Sequence, residues 1–198
     1  METACPLLHV LKDYPKEVLL RDGSGVTLRP IAEDDGPLLI RMLEGLSEED
    51  RWFLGLGERV EAFVDRFMDS LKSDRFFAVA ALLEGDMIAA AVLVRNRPGA
   101  EGHAGRILMS VSAPYRERRL GTWMLLDLIN AAMAMGLDCV RMNLVEGRDA
   151  LIMRGVEKIQ FVKEAVLRGF ARDMDGCSRD LAVMVKRLPR GWTEEGLC

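Results

Sequence analysis

The residues with the clearest chemical potential are Pro114-Tyr115-Arg116-Glu117-Arg118-Arg119-Leu120-Gly121-Thr122, a basic stretch between an apolar run ending at Val111 and a helix-patterned segment. The first N–H groups of a helix lack internal partners, and the helix dipole adds about half a positive charge there. A strand-to-helix corner of this composition can therefore hold a phosphate or pyrophosphate. Gly121 removes a Cβ where a ligand could approach the backbone. The same residues also read as a basic turn that caps a helix, with Gly121 needed for packing alone. Other reactive groups are scattered. His103 could relay a proton near neutral pH, but it stands in a Gly and Pro loop and reads as solvent-exposed. Cys139 sits in an apolar strand as a small hydrophobe and Cys177 in a polar turn as an open thiol, and neither is assigned to catalysis. Met124, Met133, Met135, Met142 and Met153 fall at helix and strand spacing, as core filler or as the lining of an adaptable pocket.

The corner needs a strand before it and a helix after it. Residues 107–111 form a short apolar strand; 117–135 carry Leu120, Met124, Leu128 and Ala131 at helical spacing, with Gly136 as the stop. The next strand, 139–145, completes a strand-helix-strand unit. Upstream, 76–83 and 87–94 are apolar runs around Glu84-Gly85-Asp86, which reads as a tight hairpin of strands buried on both faces. Residues 17–20 and 26–29 flank Arg21-Asp22-Gly23-Ser24-Gly25 as another hairpin. Asp34 and Asp35 are placed to cap and charge a helix that carries Leu38, Leu39, Met42 and Leu43 and ends at Gly45. Ser47-Glu48-Glu49-Asp50 opens a second helix, and a third is predicted over 58–72. A helix over 149–158 and long strands over 161–171 and 180–186, joined around Asp175-Gly176, complete the chain. The order implies an α+β architecture: a mixed central sheet of about seven strands with helices on both faces.

A length of 198 residues suits one domain, with 1–16 as an N-terminal extension and 189–198 as a C-terminal tail. Hydrophobic residues at 49% can build a core. The net charge of −4, with Lys and Arg dispersed among Asp and Glu, argues against nucleic acid and favours a cationic substrate. Cys5, Cys139, Cys177 and Cys198 form no CxxC pair and have no His at ligand spacing, so no metal site is expected. No basic leader precedes an apolar run, and no stretch approaches ~20 apolar residues. The expectation is a cytoplasmic protein with reduced thiols and no membrane partner.

The corner resembles the acetyl-CoA signature of the GNAT acetyltransferase superfamily, Q/R-x-x-G-x-G/A after a strand of V-x-V character, with Arg116 and Gly121 at its first and last named positions. The resemblance implies the GNAT fold and acetyl-CoA as acyl donor. It implies that N–H groups of Arg116, Glu117, Arg118, Arg119, Leu120, Gly121 and Thr122 wrap the pyrophosphate, while Val111, Ser112 and Ala113 bond the pantetheine arm like an added strand. Arg119 replaces the first glycine; its side chain is tolerable pointing outward, but a positive φ would set it against the cofactor. The likeness runs from Val26-Thr27-Leu28-Arg29-Pro30 to the C-terminal hairpin, and Gly45-Leu46-Ser47-Glu48-Glu49-Asp50-Arg51 is similar to a bacterial subgroup that includes protein-lysine acetyltransferase domains.

The implied reaction is attack by a primary amine, of a small molecule or a protein lysine, on the thioester, which calls for a base and an acid. Where many members place a tyrosine, five residues before the Phe of a Gly-Phe pair, this chain has Val156, with Gln160 in place of the glycine. That departure supports an alternative, a non-catalytic acyl-CoA-binding regulatory module. Glu146 is the first candidate base, because it ends the strand beside the cofactor strand where this family's sheet splays; it also reads as a solvated strand end or cap acid. The long C-terminal strands could pair between subunits of a homodimer.

Overall fold

The computed structural model describes residues 7–56 and 59–189. Cys5, Glu58, Cys198 and the tail from residue 190 lie outside the described residues. Eight strands, one more than expected, form one sheet: β1 (Lys16–Leu19), β2 (Gly25–Pro30), β3 (Phe76–Leu83), β4 (Asp86–Arg95), β5 (Ala104–Val111), β6 (Cys139–Val145), β7 (Val162–Arg172) and β8 (Ser178–Arg187). Their order is β1-β2-β3-β4-β5-β6-β8-β7, and only β5 and β6 run parallel. The helices are α1 (Leu8–Leu11), α2 (Gly36–Glu44), α3 (Glu48–Phe53), α4 (Val60–Leu71), α5 (Leu120–Ala134) and α6 (Ala150–Glu157). The β3–β4 connection is the anticipated tight turn, with Glu84 and Gly85 both at positive φ, the backbone that matches strand twist in a two-residue hairpin.

Alternation along β3 and β4 sends side chains into two cores. Leu39, Met42, Leu43, Val60 and Val64 of α2 and α4 pack with Ala80 and Met87 on one face. On the other, α5 presents Leu120, Met124, Leu125 and Leu128 to Val79, Ala81, Ala89, Ala91 and Leu93. Each large side chain so buried contributes about 1.5–3 kcal/mol. Met124, Met135, Met142 and Met153 are core residues, as their spacing suggested, while Met133 is exposed.

Two buried acids fix the frame in ways the sequence did not reveal. Asp35 lies just before α2, but its carboxylate turns back, accepting from Arg29 Nη1 and Nη2 at 2.6 and 2.7 Å and from the Ala32 N–H at 2.7 Å. It joins β2 to α2 rather than capping the helix. Burial pushes its pKa up, yet Arg29 and the Ala32 N–H outweigh that and hold it below the usual carboxylate range. Asp127 interrupts the apolar surface of α5 and accepts from Tyr14 Oη at 2.8 Å and Lys16 Nζ at 2.7 Å, so the N-terminal segment is bound onto α5. Burial, then the Asp127 hydrogen bond, push the Tyr14 phenol well above its ordinary value, keeping it a donor.

The parallel pair positions the site. β4 pairs with β5 as far as Ala89↔Val111, but β5 pairs with β6 only over Ala104↔Cys139, Gly105↔Val140 and Arg106↔Arg141. Beyond Arg106 the two strands diverge, leaving a wedge between 107–111 of β5 and 142–145 of β6. No helix among the described residues is long and apolar enough to cross a membrane.

Candidate active site

The wedge exposes one edge of β5. The Ser112 N–H donates to Ile88 O at 2.9 Å, so Ser112 faces β4; by the two-residue alternation of strand polar groups, Val111 and Met109 direct theirs into the wedge. Of the three residues expected to meet a pantetheine arm, Val111 has the suitable edge, and Met109, one repeat upstream, joins it. The Val111 carbonyl accepts from Arg116 Nε at 2.9 Å, and the Ala113 carbonyl accepts the Arg116 N–H at 3.3 Å.

Past Val111 a single 3-10 turn, Ala113–Tyr115, leads into the basic loop and α5. The Thr122 N–H is bonded to Arg119 O at 3.0 Å, whereas the N–H groups of Glu117, Arg118, Arg119, Leu120 and Gly121 have no acceptor among the described residues. Five consecutive free donors at the start of a 15-residue helix are an arrangement that can hold an anion. The loop achieves this with positive φ at Glu117 (60°) and Arg119 (71°). Arg119 therefore holds the positive φ that counts against a cofactor lying beside its side chain, and that side chain is exposed rather than packed into the loop. Such conformations persist when surroundings over-determine them. Here Arg118 pairs with Asp22, its carbonyl accepts the Arg21 N–H at 3.2 Å, and Arg116 pairs with Asp50, so the β1–β2 turn and α3 grip the loop from two sides. The guanidinium of Arg118 also lies 5.8 Å from the Tyr115 ring centre. At Gly121 a Cβ would meet Met109 Sδ at 3.3 Å, a contact the flexible Met109 side chain would have to relieve.

Asp50 and Arg148 were not singled out by sequence. Ser47 caps α3 by accepting the Asp50 N–H at 3.1 Å, the role its position suggested. The Asp50 carboxylate then accepts from Arg116 Nη2 at 2.7 Å through Oδ2 and from Arg148 Nη2 at 2.5 Å through Oδ1. Burial pushes the Asp50 carboxyl up, but the hydrogen bonds from Arg116 and Ser47 and the nearby Arg148 charge hold it below the ordinary range. Arg148 also bonds Asp149 at 2.6 Å and lies 4.6 Å from the Phe53 ring centre.

Beside this network is a cavity of about 410 Å³ lined by Glu49, Phe53, Glu146, Arg148, Asp173 and Arg179. Glu146 is there, its Oε1 bonded to Lys163 Nζ at 2.7 Å. Glu49 is a second carboxylate, 60% exposed and 3.7 Å from Arg148 Nε. On β6, Asn143 Oδ1 is buried with no partner among the described residues. A wider groove of about 650 Å³ lies elsewhere, beside β1, lined by Asp13, Lys16, Glu17 and Trp123.

Other candidates fall away from the wedge. His103 is exposed at the opposite end of β5, ~26 Å along the strand from Val111. Cys139 begins β6 at that same far end, and Cys177 is exposed in the β7–β8 turn. Val156 is 4% exposed, packed in the α5 core, and Gln160 holds a φ of 69°, again a glycine-like backbone under another side chain. Among the described residues no group of His, Cys, Asp and Glu is arranged to hold a metal.

The comparisons agree with this geometry. Residues 41–151 match the family model described as Acetyltransferase (GNAT) family. No curated sequence matches the chain. Among solved structures, the GNAT domain of S. lividans PAT is 20% identical, with a TM-score of 0.69 over 87% of this chain and 96% of that one. The ribosomal-protein-alanine N-acetyltransferase of Brucella melitensis is 21% identical, with a TM-score of 0.67 over 81% and 99%. Mycobacterium smegmatis RimJ, solved in complex with CoA-disulfide, is 15% identical, with a TM-score of 0.67 over 88% of each chain. With the family model spanning more than half of its length, and the splayed strands and helix corner inside that span, the chain belongs to the GNAT acetyltransferase family.

Proposed function

We propose that this protein transfers an acetyl group from acetyl-CoA to a primary amine, of a small molecule or of a protein lysine. The observation that carries the reading is the run of five free N–H groups from Glu117 to Gly121 at the mouth of the β5–β6 wedge. A pyrophosphate would sit against those N–H groups, and a pantetheine arm would run along the Val111 and Met109 edge of β5. The amine must lose its proton before attacking the thioester, and the departing thiolate must gain one. Glu49 and Glu146 border the cavity beyond the wedge and can attract an ammonium group; Glu146 reaches a substrate proton only in competition with Lys163. Two structural neighbours are ribosomal-protein-alanine N-acetyltransferases, which supports a polypeptide amine as acceptor. Calorimetric binding of acetyl-CoA followed by an amine screen for free thiol tests the proposal, and failure to bind any acyl-CoA would sink it.

Burial of Val156, where relatives place a tyrosine, favours one other reading: a non-catalytic acyl-CoA-binding module. Any amine-dependent turnover above background excludes that reading. A homodimer is also part of the proposal, because β7 is an edge strand exposed along its length, with Val162, Val166, Leu167 and Phe170 on the surface. A monomeric sedimentation coefficient at working concentration would rule it out.

A further inference from the structure

We infer that Asp50 is a positioning residue that links the cofactor cradle to the acceptor cavity, so that occupancy of one wall of the wedge is felt by the other. The inference rests on the acetyl-CoA reading above. The two walls share few contacts of their own, since β5 and β6 part after Arg106↔Arg141. Asp50 spans the gap from α3, one carboxylate oxygen on Arg116 at the end of the β5 wall and the other on Arg148 at the end of the β6 wall. Its side chain is 13% exposed, and a carboxylate accepting two guanidinium donors at such distances makes strong, directional hydrogen bonds.

Arg116 can serve both ends of this link. Of its five N–H donors, Nε holds Val111 O and Nη2 holds Asp50, leaving donors to face an anion in the cradle while both contacts stand. Arg148 carries the constraint onward. It is fixed by Asp50, by Asp149 and by the Phe53 ring, and Asp149 in turn accepts the Val145 N–H at 2.7 Å, the last residue of β6. Arg148 and Glu49 both line the acceptor cavity, so their placement depends on where Asp50 holds α3. A donor anion taking the remaining Arg116 donors would tighten this preformed link, and through Asp50 the wall against which the amine must dock. Coupling of this kind requires a shared element that both sites bias, and α3 is that element.

The test is hydrogen exchange on the whole chain, with and without saturating CoA, in the wild type, Asp50→Asn and Arg148→Met. An asparagine keeps one acceptor oxygen and can hold only one of the two arginines; Arg148→Met cuts the β6 arm alone and carries the test where Asp50→Asn fails to fold. CoA should slow exchange at residues 116–122, 47–54 and 145–150 in the wild type, but only at 116–122 in both variants. Calorimetry should show CoA binding to Asp50→Asn weakened by about fivefold. Equal protection of 47–54 and 145–150 in the variants, or wild-type protection confined to 116–122 at saturation, overturns the inference while leaving the cofactor reading intact. Absence of CoA binding to the wild type overturns the cofactor reading itself and this inference with it.

Discussion

Arginine at residue 119 occupies a backbone conformation suited to glycine, and replacing it with glycine should stabilise the protein. With φ 71° and ψ 0°, Arg119 sits in the left-handed region, where a Cβ costs about 1–2 kcal/mol. Glycine loses more conformational entropy on folding, which offsets about 0.4–1 kcal/mol. The net expectation for Arg119→Gly is a gain of about 0.5–1 kcal/mol, or a rise of roughly 1–4 °C in Tm for a chain of this size. Arg119→Ala is the control, since it removes the guanidinium but keeps the Cβ, and it should show no gain. Both are measured by thermal melts at pH 7 and by urea unfolding. Arg119→Gly melting at or below the wild type, or Arg119→Ala gaining as much, would refute the reasoning: the first by removing the strain, the second by moving its origin to the charge.

Three further outcomes follow from the same geometry. Asp35 has a folded pKa below its unfolded value, so its contribution is present above about pH 4 and is lost as pH falls through the folded value. Asp35→Asn should cost about 2–3 kcal/mol at pH 7 and flatten the acid side of the Tm–pH curve, which pH-dependent melts will show. Lys16→Met strands the Asp127 carboxylate on a buried helix face and should destabilise more than Asp127→Ala does, with the double variant recovering part of the loss in urea titrations. Gly121→Ala places a Cβ against the flexible Met109 side chain and should cost less than about 1 kcal/mol, whereas Gly121→Trp should pry α5 from β5, lowering Tm and CoA affinity together.

Local pattern carried the parts of the fold that depend on neighbours in sequence. The two-residue turn at Glu84 and Gly85, the Ser47 cap, the α5 spacing and the β5-α5-β6 unit were all legible, because each follows from periodicity or turn chemistry within a few residues. The GNAT fold and the Arg116 to Gly121 corner were legible through resemblance. Asp50 carries only the local signature of a helix start, since its partners Arg116 and Arg148 are 66 and 98 residues away. Asp127 and its partners Tyr14 and Lys16 are 113 and 111 residues apart, and nothing in their types marks the pairing. Asp35 carried a local signal for capping, but the nearby Arg29 guanidinium competed for the carboxylate and won. At Arg119 and Gln160 residue identity concealed the backbone: the β1–β2 turn and α3 hold the loop around the first, and the second is the left-handed cap that closes α6, with the Phe161 N–H on Val156 O.

The central claim is that the loop from Glu117 to Gly121 cradles the pyrophosphate of an acyl donor, and calorimetric titration of the whole chain with acetyl-CoA tests it most directly. Saturable binding at one molecule per chain, followed by thiol release only when an amine is added, is the predicted result. A flat titration of the folded wild-type protein would contradict the account.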